Sequence, residues 1–174
     1  MKWIKKSLVV FFLVLAGMSL QLDWQSFFSK NRVACAFCDE SILKLNTFYE
    51  GKEASALLTY KPACQGHVLV LPKRHVVRFE DLTDSEMAEI KEIIAKVDRM
   101  SQKIYGSTGY LLLEKNGREA GQSVPHVHFH YLPRTFDQSG LWLVVQILLA
   151  PILKPLSPEE MVAQTTFLSS EMPR

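Results

Sequence analysis

Cysteine is scarce: 3 residues in 174, too few for a chain built on disulfides. Charge of one sign is lacking as well. The formal net charge is +2, and three of the twenty basic residues are Lys2, Lys5 and Lys6. Residues 23–174 thus hold 17 basic against 18 acidic groups. They lack the clustered cations that displace counterions from phosphates, which argues against a nucleic-acid partner. Neither an internal repeat nor a low-complexity tract is visible. With 48% hydrophobic and 22% charged residues, 8 Gly and 8 Pro, the composition is globular and excludes a fibrous or disordered polymer. The length accommodates one ordinary domain.

Long uncharged runs are confined to the two ends. Residues 1–22 open with three lysines and continue through Ser7–Leu22 without a charge. The apolar part, Leu8–Leu20, resembles the core of a secretory signal more than a full membrane span of about 20 residues. Small residues stand near Ala16 and Ser19, but no clean cleavage site follows. An export signal, an uncleaved membrane anchor and a buried helix are all compatible with the run. The lysines at its head and the missing amphipathic period favour the first two, and with them a membrane-associated or extracytoplasmic location. Residues 23–32 read as a connector.

Residues 33–134 carry the pattern of a mixed domain. Phe48–Glu50, Ala56–Thr59, His67–Leu71, Tyr110–Glu114 and Val127–Leu132 are short apolar or alternating runs expected as strands. Thr83 with Glu86 forms a capping box. Met87, Ile90, Ile94, Val97 and Ile104 follow at helical spacing, and Gly106 stands where a C-terminal cap belongs. Strands, one strong helix and more strands predict an α+β fold.

The five histidines fall in two short segments: His67 and His75, then His126, His128 and His130. Along a strand, side chains alternate, so the last three face one way while Val127, Phe129 and Tyr131 face the core, at a spacing of about 6.5 Å. Histidine is rare enough that three in alternation point to a site more than to a solvated face. Such a row suits metal binding or phosphate chemistry.

The run Ala120-Gly121-Gln122-Ser123-Val124-Pro125-His126-Val127-His128-Phe129-His130 closely resembles the signature of the histidine triad (HIT) nucleotide hydrolases and transferases. Gly66-His67-Val68-Leu69-Val70-Leu71-Pro72-Lys73-Arg74-His75 looks like that family's other recurrent segment. The resemblance implies an antiparallel sheet of about five strands with a central helix. It also implies attack by His128 on the α-phosphorus of a nucleotide, through a covalent nucleotidyl-histidine. Gln122 and His130 would bind phosphoryl oxygens, Ser123 would protonate the leaving group, and His67 would line the nucleotide site. A neutral imidazole suits this work because it is nucleophilic near pH 7 and bonds labilely to phosphorus.

Cys35-Ala36-Phe37-Cys38 supplies two sulfurs at the spacing of half a tetrahedral zinc site. Members of the resembled family with such a pair bind structural zinc, which implies Cys35, Cys38, His75 and His126 as ligands here. A disulfide or a redox pair remains the alternative. Homodimers are common in that family, and one is expected.

Two positions depart from the resembled pattern. Thr59 stands where an Asn or Asp binds ribose, and Lys115, followed by Asn116, stands where an amide is usual. These two changes put nucleoside recognition in doubt; Lys115 suits a more anionic phosphate chain, or is a solvated turn lysine. Residues 135–174 lie beyond the resemblance. Leu141–Ala150 is apolar on every face, compatible with burial in an interface or with a membrane surface, as is the stretch on to Leu153. Ser157 and Pro158 open a last helix expected to reach about Leu168. Two functional classes follow: a nucleotide phosphohydrolase or nucleotidyltransferase, or a non-catalytic, zinc-stabilised nucleotide- or phosphate-binding module.

Overall fold

The computed structural model describes residues 35–173, so the expectations placed on residues 1–22 and 23–32 lie outside the described residues. A turn at Ala36–Cys38 leads into helix α1, Glu40–Asn46, whose first N–H groups are capped by the Asp39 carboxylate. Strands β1, Thr47–Glu50, β2, Ala54–Leu58, and β3, Val68–Pro72, follow. Helix α2, Asp84–Tyr105, separates them from β4, Gly109–Glu114, and β5, Phe129–Arg134. The strands form one antiparallel sheet in the order β1-β2-β3-β5-β4. Helices α3, Gly140–Leu149, and α4, Pro158–Glu171, complete the chain. This is the expected α+β architecture of five antiparallel strands with a central helix.

Alternation along the central strands gives the sheet two different faces. Ala56, Leu58, Val68, Val70, Phe129 and Tyr131 pack with Ile90, Ile93, Ile94, Val97 and Met100 of α2. Each such aliphatic side chain contributes about 1.5–3 kcal/mol by leaving water. Leu57, Leu69 and Leu71 point to the other face, where Phe37 and Leu43 from the N-terminal turn and α1 cover them. With both faces covered, β2 and β3 are buried along their whole length. The histidine row belongs to this second face, because Leu69 pairs with His130 in the register of β3 and β5.

Helix α2 starts and stops on its caps. The Thr83 hydroxyl accepts from the Glu86 N–H at 3.2 Å, and the Glu86 carboxylate accepts from the Thr83 N–H at 2.8 Å. Gly106 ends the helix in the left-handed conformation, at φ 64°, which costs glycine little. Gly66 has a different necessity: besides its φ of 77°, a Cβ there would lie 2.7 Å from the Tyr105 ring and 2.8 Å from Pro133. Only glycine lets the chain enter β3 at His67 so close to α2 and β5.

Three differences from the sequence expectations stand out. β5 begins at Phe129 rather than Val127, because the Val127 N–H donates to the Val76 carbonyl instead of joining the ladder. His126 and His128 therefore precede the paired strand, yet the alternation persists, with Val127 in the core. The last helix has the expected Ser157 cap, completed into a box by Glu160, but runs on to Glu171. The apolar run folds as α3, capped by the Ser139 hydroxyl, with Leu141 76% and Leu148 71% exposed. Among the described residues no helix is long and apolar enough to cross a membrane.

Candidate functional site

The five histidines, with Cys35 and Cys38, sort into two adjoining groups. The first gathers Cys35, Cys38, His75 and His126, whose ligand atoms all lie within 4.8 Å of one another. Cys38 Sγ is 2.7 Å from Cys35 Sγ and 3.2 Å from His75 Nδ1; Cys35 Sγ is 3.3 Å from His126 Nδ1. The cysteines, Cys64 included, are free thiols. His126 is fully buried, and its Nε2–H donates to the Pro72 carbonyl at 2.9 Å. That donation leaves Nδ1 unprotonated towards the sulfurs, the arrangement a ligating imidazole needs. Burial, with the Cys38 thiol beside it, pushes the Cys35 thiol up to about 12; a bound dication reverses such a shift. Two thiols and two imidazoles are a donor set suited to zinc, so these residues fit the expected metal.

The second group contains His67, His128 and His130. His128, 5% exposed, donates from Nδ1 to the His126 carbonyl at 2.7 Å. A carbonyl only accepts, so the proton sits on Nδ1 and the Nε2 lone pair is free. His126 can offer that carbonyl because it lies upstream of the β3–β5 ladder. Burial lowers the His128 pKa and Lys115 adds to the lowering, against the opposing bond to His126.

Backbone geometry also dictates the remaining tautomers. The Ala63 N–H donates to His67 Nδ1 at 3.0 Å, which puts the proton of neutral His67 on Nε2. His67 Nε2 in turn is 2.9 Å from His130 Nδ1. His130 accepts there and carries its own proton on Nε2. Both rings stay neutral: burial, then neighbouring positive charge from His128 and Lys115, lowers His67 to about 4, and burial with the same neighbours lowers His130 to about 2. The row thus presents a lone pair at His128 and an N–H donor at His130, ring centroids 4.9 Å apart.

The residues around the row are less uniform. Gln122 is buried, and its amide ties the loop together: Oε1 accepts from the Gly117 N–H at 2.9 Å and Nε2 donates to the Val77 carbonyl at 3.0 Å. Each bond uses one of the two hydrogens of Nε2 or one of the two lone pairs of Oε1, so the second Nε2 hydrogen is left for a phosphoryl oxygen. Asn116 accepts from the Phe79 N–H and donates to Glu80, which anchors its turn. Ser123 is exposed. Thr59 is buried just after β2, one step past the Leu58–Val68 pair and so opposite His67. Lys115 is half-buried at the end of β4.

Two contributors were not foreseen from sequence. Phe37, between the two cysteines, sets its ring 5.9 Å from His126 and 5.1 Å from His128. Arg74 grips Glu86 with Nε and Nη2, both at 2.8 Å, which ties the segment carrying His75 to the start of α2. The Cys-x-Phe-Cys order and the capping-box glutamate were the available signals.

Residues 43–137 match the HIT domain. The chain belongs to the HIT family. This HIT chain is 34% identical over 145 residues to adenosine 5'-monophosphoramidase hnt1 of Schizosaccharomyces pombe, covering 80% of this chain and 99% of that one. It is 40% identical over 87 residues to the asymmetrical bis(5'-nucleosyl)-tetraphosphatase of the same yeast, over 50% of this chain and 48% of the other. The crystal structure of NitFhit from Caenorhabditis elegans superposes with a TM-score of 0.62 at 34% identity, covering 74% of this chain and 27% of that one. This HIT chain therefore spans about a quarter of NitFhit and about half of the tetraphosphatase. The two yeast relatives are named for chemistry on nucleotides, and no described helix can cross a membrane. Together these overturn the exported or membrane-associated placement expected from residues 1–22.

Proposed function

We propose that this HIT protein is a nucleotide phosphohydrolase or nucleotidyltransferase that works through a nucleotidyl group on His128. The observation that carries the reading is the hydrogen bond from His128 Nδ1 to the His126 carbonyl, which leaves Nε2 unprotonated without any general base. Nε2 attacks the α-phosphorus and a P–N bond forms. The bond to the leaving group breaks, its electron pair departs with that group, and the Ser123 hydroxyl supplies a proton. Water attacks the same phosphorus next and returns a proton to Ser123, and the P–N bond breaks to restore neutral His128. The His130 Nε2–H donates to a phosphoryl oxygen as charge redistributes. His67 fixes the His130 tautomer, and Thr59 lines the nucleoside side in place of an amide or carboxylate. The names of the yeast relatives, a tetraphosphatase and a monophosphoramidase, support phosphoanhydride and phosphoramidate bonds as the substrate class.

Cys35, Cys38, His75 and His126 hold a structural zinc ion in this reading, anchoring the N-terminal turn beside the catalytic imidazoles. Residues 33–134 form the catalytic unit and residues 135–174 a C-terminal segment. A homodimer is supported by β4, which lies at the sheet edge and exposes Tyr110 and Leu112; an unpaired apolar edge favours pairing.

The test is a quench of the reduced full chain during turnover of diadenosine tetraphosphate and adenosine 5'-phosphoramidate. A nucleotidyl mass on the peptide containing His128 supports the mechanism. Tight nucleotide binding without turnover or adduct returns the chain to the binding-module class, for which Thr59 and Lys115 speak.

A further inference from the structure

Lys115 stands opposite the catalytic imidazole. In the β4–β5 register Leu113 pairs with His130 and Glu114 with Phe129, so one further step sets Lys115 against His128. With a side-chain period of two, Lys115 shares the sheet face of His128 and His130. Its stem lies against the turn that leads to Gln122 and Ser123: a Cβ on Gly121 would be 3.7 Å from Lys115 Cδ and 3.8 Å from Nζ. Gly121 holds a φ of +85°, so that turn stays slim and open to the ammonium. The charge of Lys115 disfavours protonation at His67, His128 and His130, which puts it within electrostatic reach of all three.

The strand order gives this cation a side. Thr59 follows β2, His67 precedes β3, His128 precedes β5 and Lys115 follows β4, in the order β2-β3-β5-β4 across the sheet. Neighbouring strands lie about 4.8 Å apart, so Lys115 sits one strand from His128 at the same level, while Thr59 lies two strands away on the other side and further along the sheet. A phosphorus at His128 with its nucleoside towards Thr59 directs the departing group over Lys115 and Ser123. Neutral imidazoles offer that group no charge; the lysine does.

We propose that Lys115 is a specificity-determining residue that selects leaving groups made of a phosphate chain over neutral amines. The inference rests on the hydrolase reading above. An anionic leaving group gains negative charge as its bond to the α-phosphorus breaks, and an ammonium placed beside it is worth more in the transition state than in the ground state. A departing amine gains no comparable attraction.

The experiment compares kcat/KM for diadenosine tetraphosphate and adenosine 5'-phosphoramidate in the full chain, in Lys115→Gln and in Lys115→Arg. A hydrogen bond to a charged group is worth about one to two powers of ten. Lys115→Gln is therefore expected to lower the tetraphosphate value about ten- to a hundredfold and the phosphoramidate value less than about threefold. Lys115→Arg is expected to keep most of the ratio. The ratio is insensitive to any loss of folding, which affects both substrates alike. Wild-type turnover with a ratio unchanged in Lys115→Gln overturns this proposal alone. A wild-type chain that cleaves neither compound overturns the hydrolase reading and this proposal with it.

Discussion

His126 and His128 are two residues apart on the same face, and they use opposite nitrogens. His126 donates from Nε2 to Pro72 on β3 and turns Nδ1 to the thiols; His128 donates from Nδ1 to the His126 carbonyl and leaves Nε2 free. Residue type and spacing are identical in the two halves of the row. In the proposed reading, the carbonyl each ring meets is what separates a ligand from a nucleophile. The half around His126 gathers sulfur, and the half around His128 gathers imidazoles and one ammonium.

The largest expected effect breaks the catalytic half alone. His128→Ala is expected to lose at least about three orders of magnitude in turnover, with zinc content and melting temperature unchanged. A variant that keeps wild-type turnover removes the mechanism. Cys38→Ser breaks the other half: atomic absorption is expected to find the metal lost. Without a ligand held at about a thousand times its dissociation constant, about 4 kcal/mol of stability disappears, or roughly 10 °C in melting temperature. Turnover measured below that transition is expected to fall less than about tenfold. A zinc-free wild type with unaltered stability would remove the metal from the comparison.

Smaller changes sharpen the contrast. His67→Phe deletes the donor that sets the His130 tautomer, and turnover is expected to drop about ten- to a hundredfold through lost orientation, while nuclear magnetic resonance shows the His130 ring sampling both tautomers. Unchanged turnover would mean the His67–His130 bond is not used. The smallest effect lies in the scaffold behind His75. Arg74, then the Thr83 bonds, hold the Glu86 carboxyl down to about 2. A depressed carboxylate stabilises the fold above its ordinary titration range and loses that contribution as pH falls through the range from about 4.5 to 2. Glu86→Gln is expected to cost about 1 kcal/mol near neutrality, the usual value of a lost cap. The gap in melting temperature between variant and wild type should close by about pH 2; a gap independent of pH would assign the effect to packing.

The features legible in the sequence were those with local causes. The Thr83–Glu86 box, the Gly106 cap and the alternation Val127, Phe129, Tyr131 each arise within a few residues, and the fold carries all of them. The Cys35, Cys38, His75 and His126 grouping was reachable only through resemblance, since its members meet across three separate segments. The tautomers of His126 and His67 were not legible, because they depend on the Pro72 carbonyl and the Ala63 N–H. Gln122 and Asn116 illustrate the same limit: the partners of their amides, Gly117, Val77, Phe79 and Glu80, are set by the fold. Helix α1 escaped notice because its seven residues are too few for a periodic signal.

Phe37 gives the two halves a shared reporter. Its ring meets His128 at an interplanar angle of 64° and His126 at 84°, and it rides on the turn that the two cysteines bracket. A circulating ring current displaces the resonances of protons held near it, by amounts that change steeply with position. The carbon-bound protons of His128 therefore carry, in their chemical shifts, a record of where that turn lies. Titrating a chelator into the reduced protein should move those signals in step with metal release, reading the ligand site from the nucleophile without any substrate present.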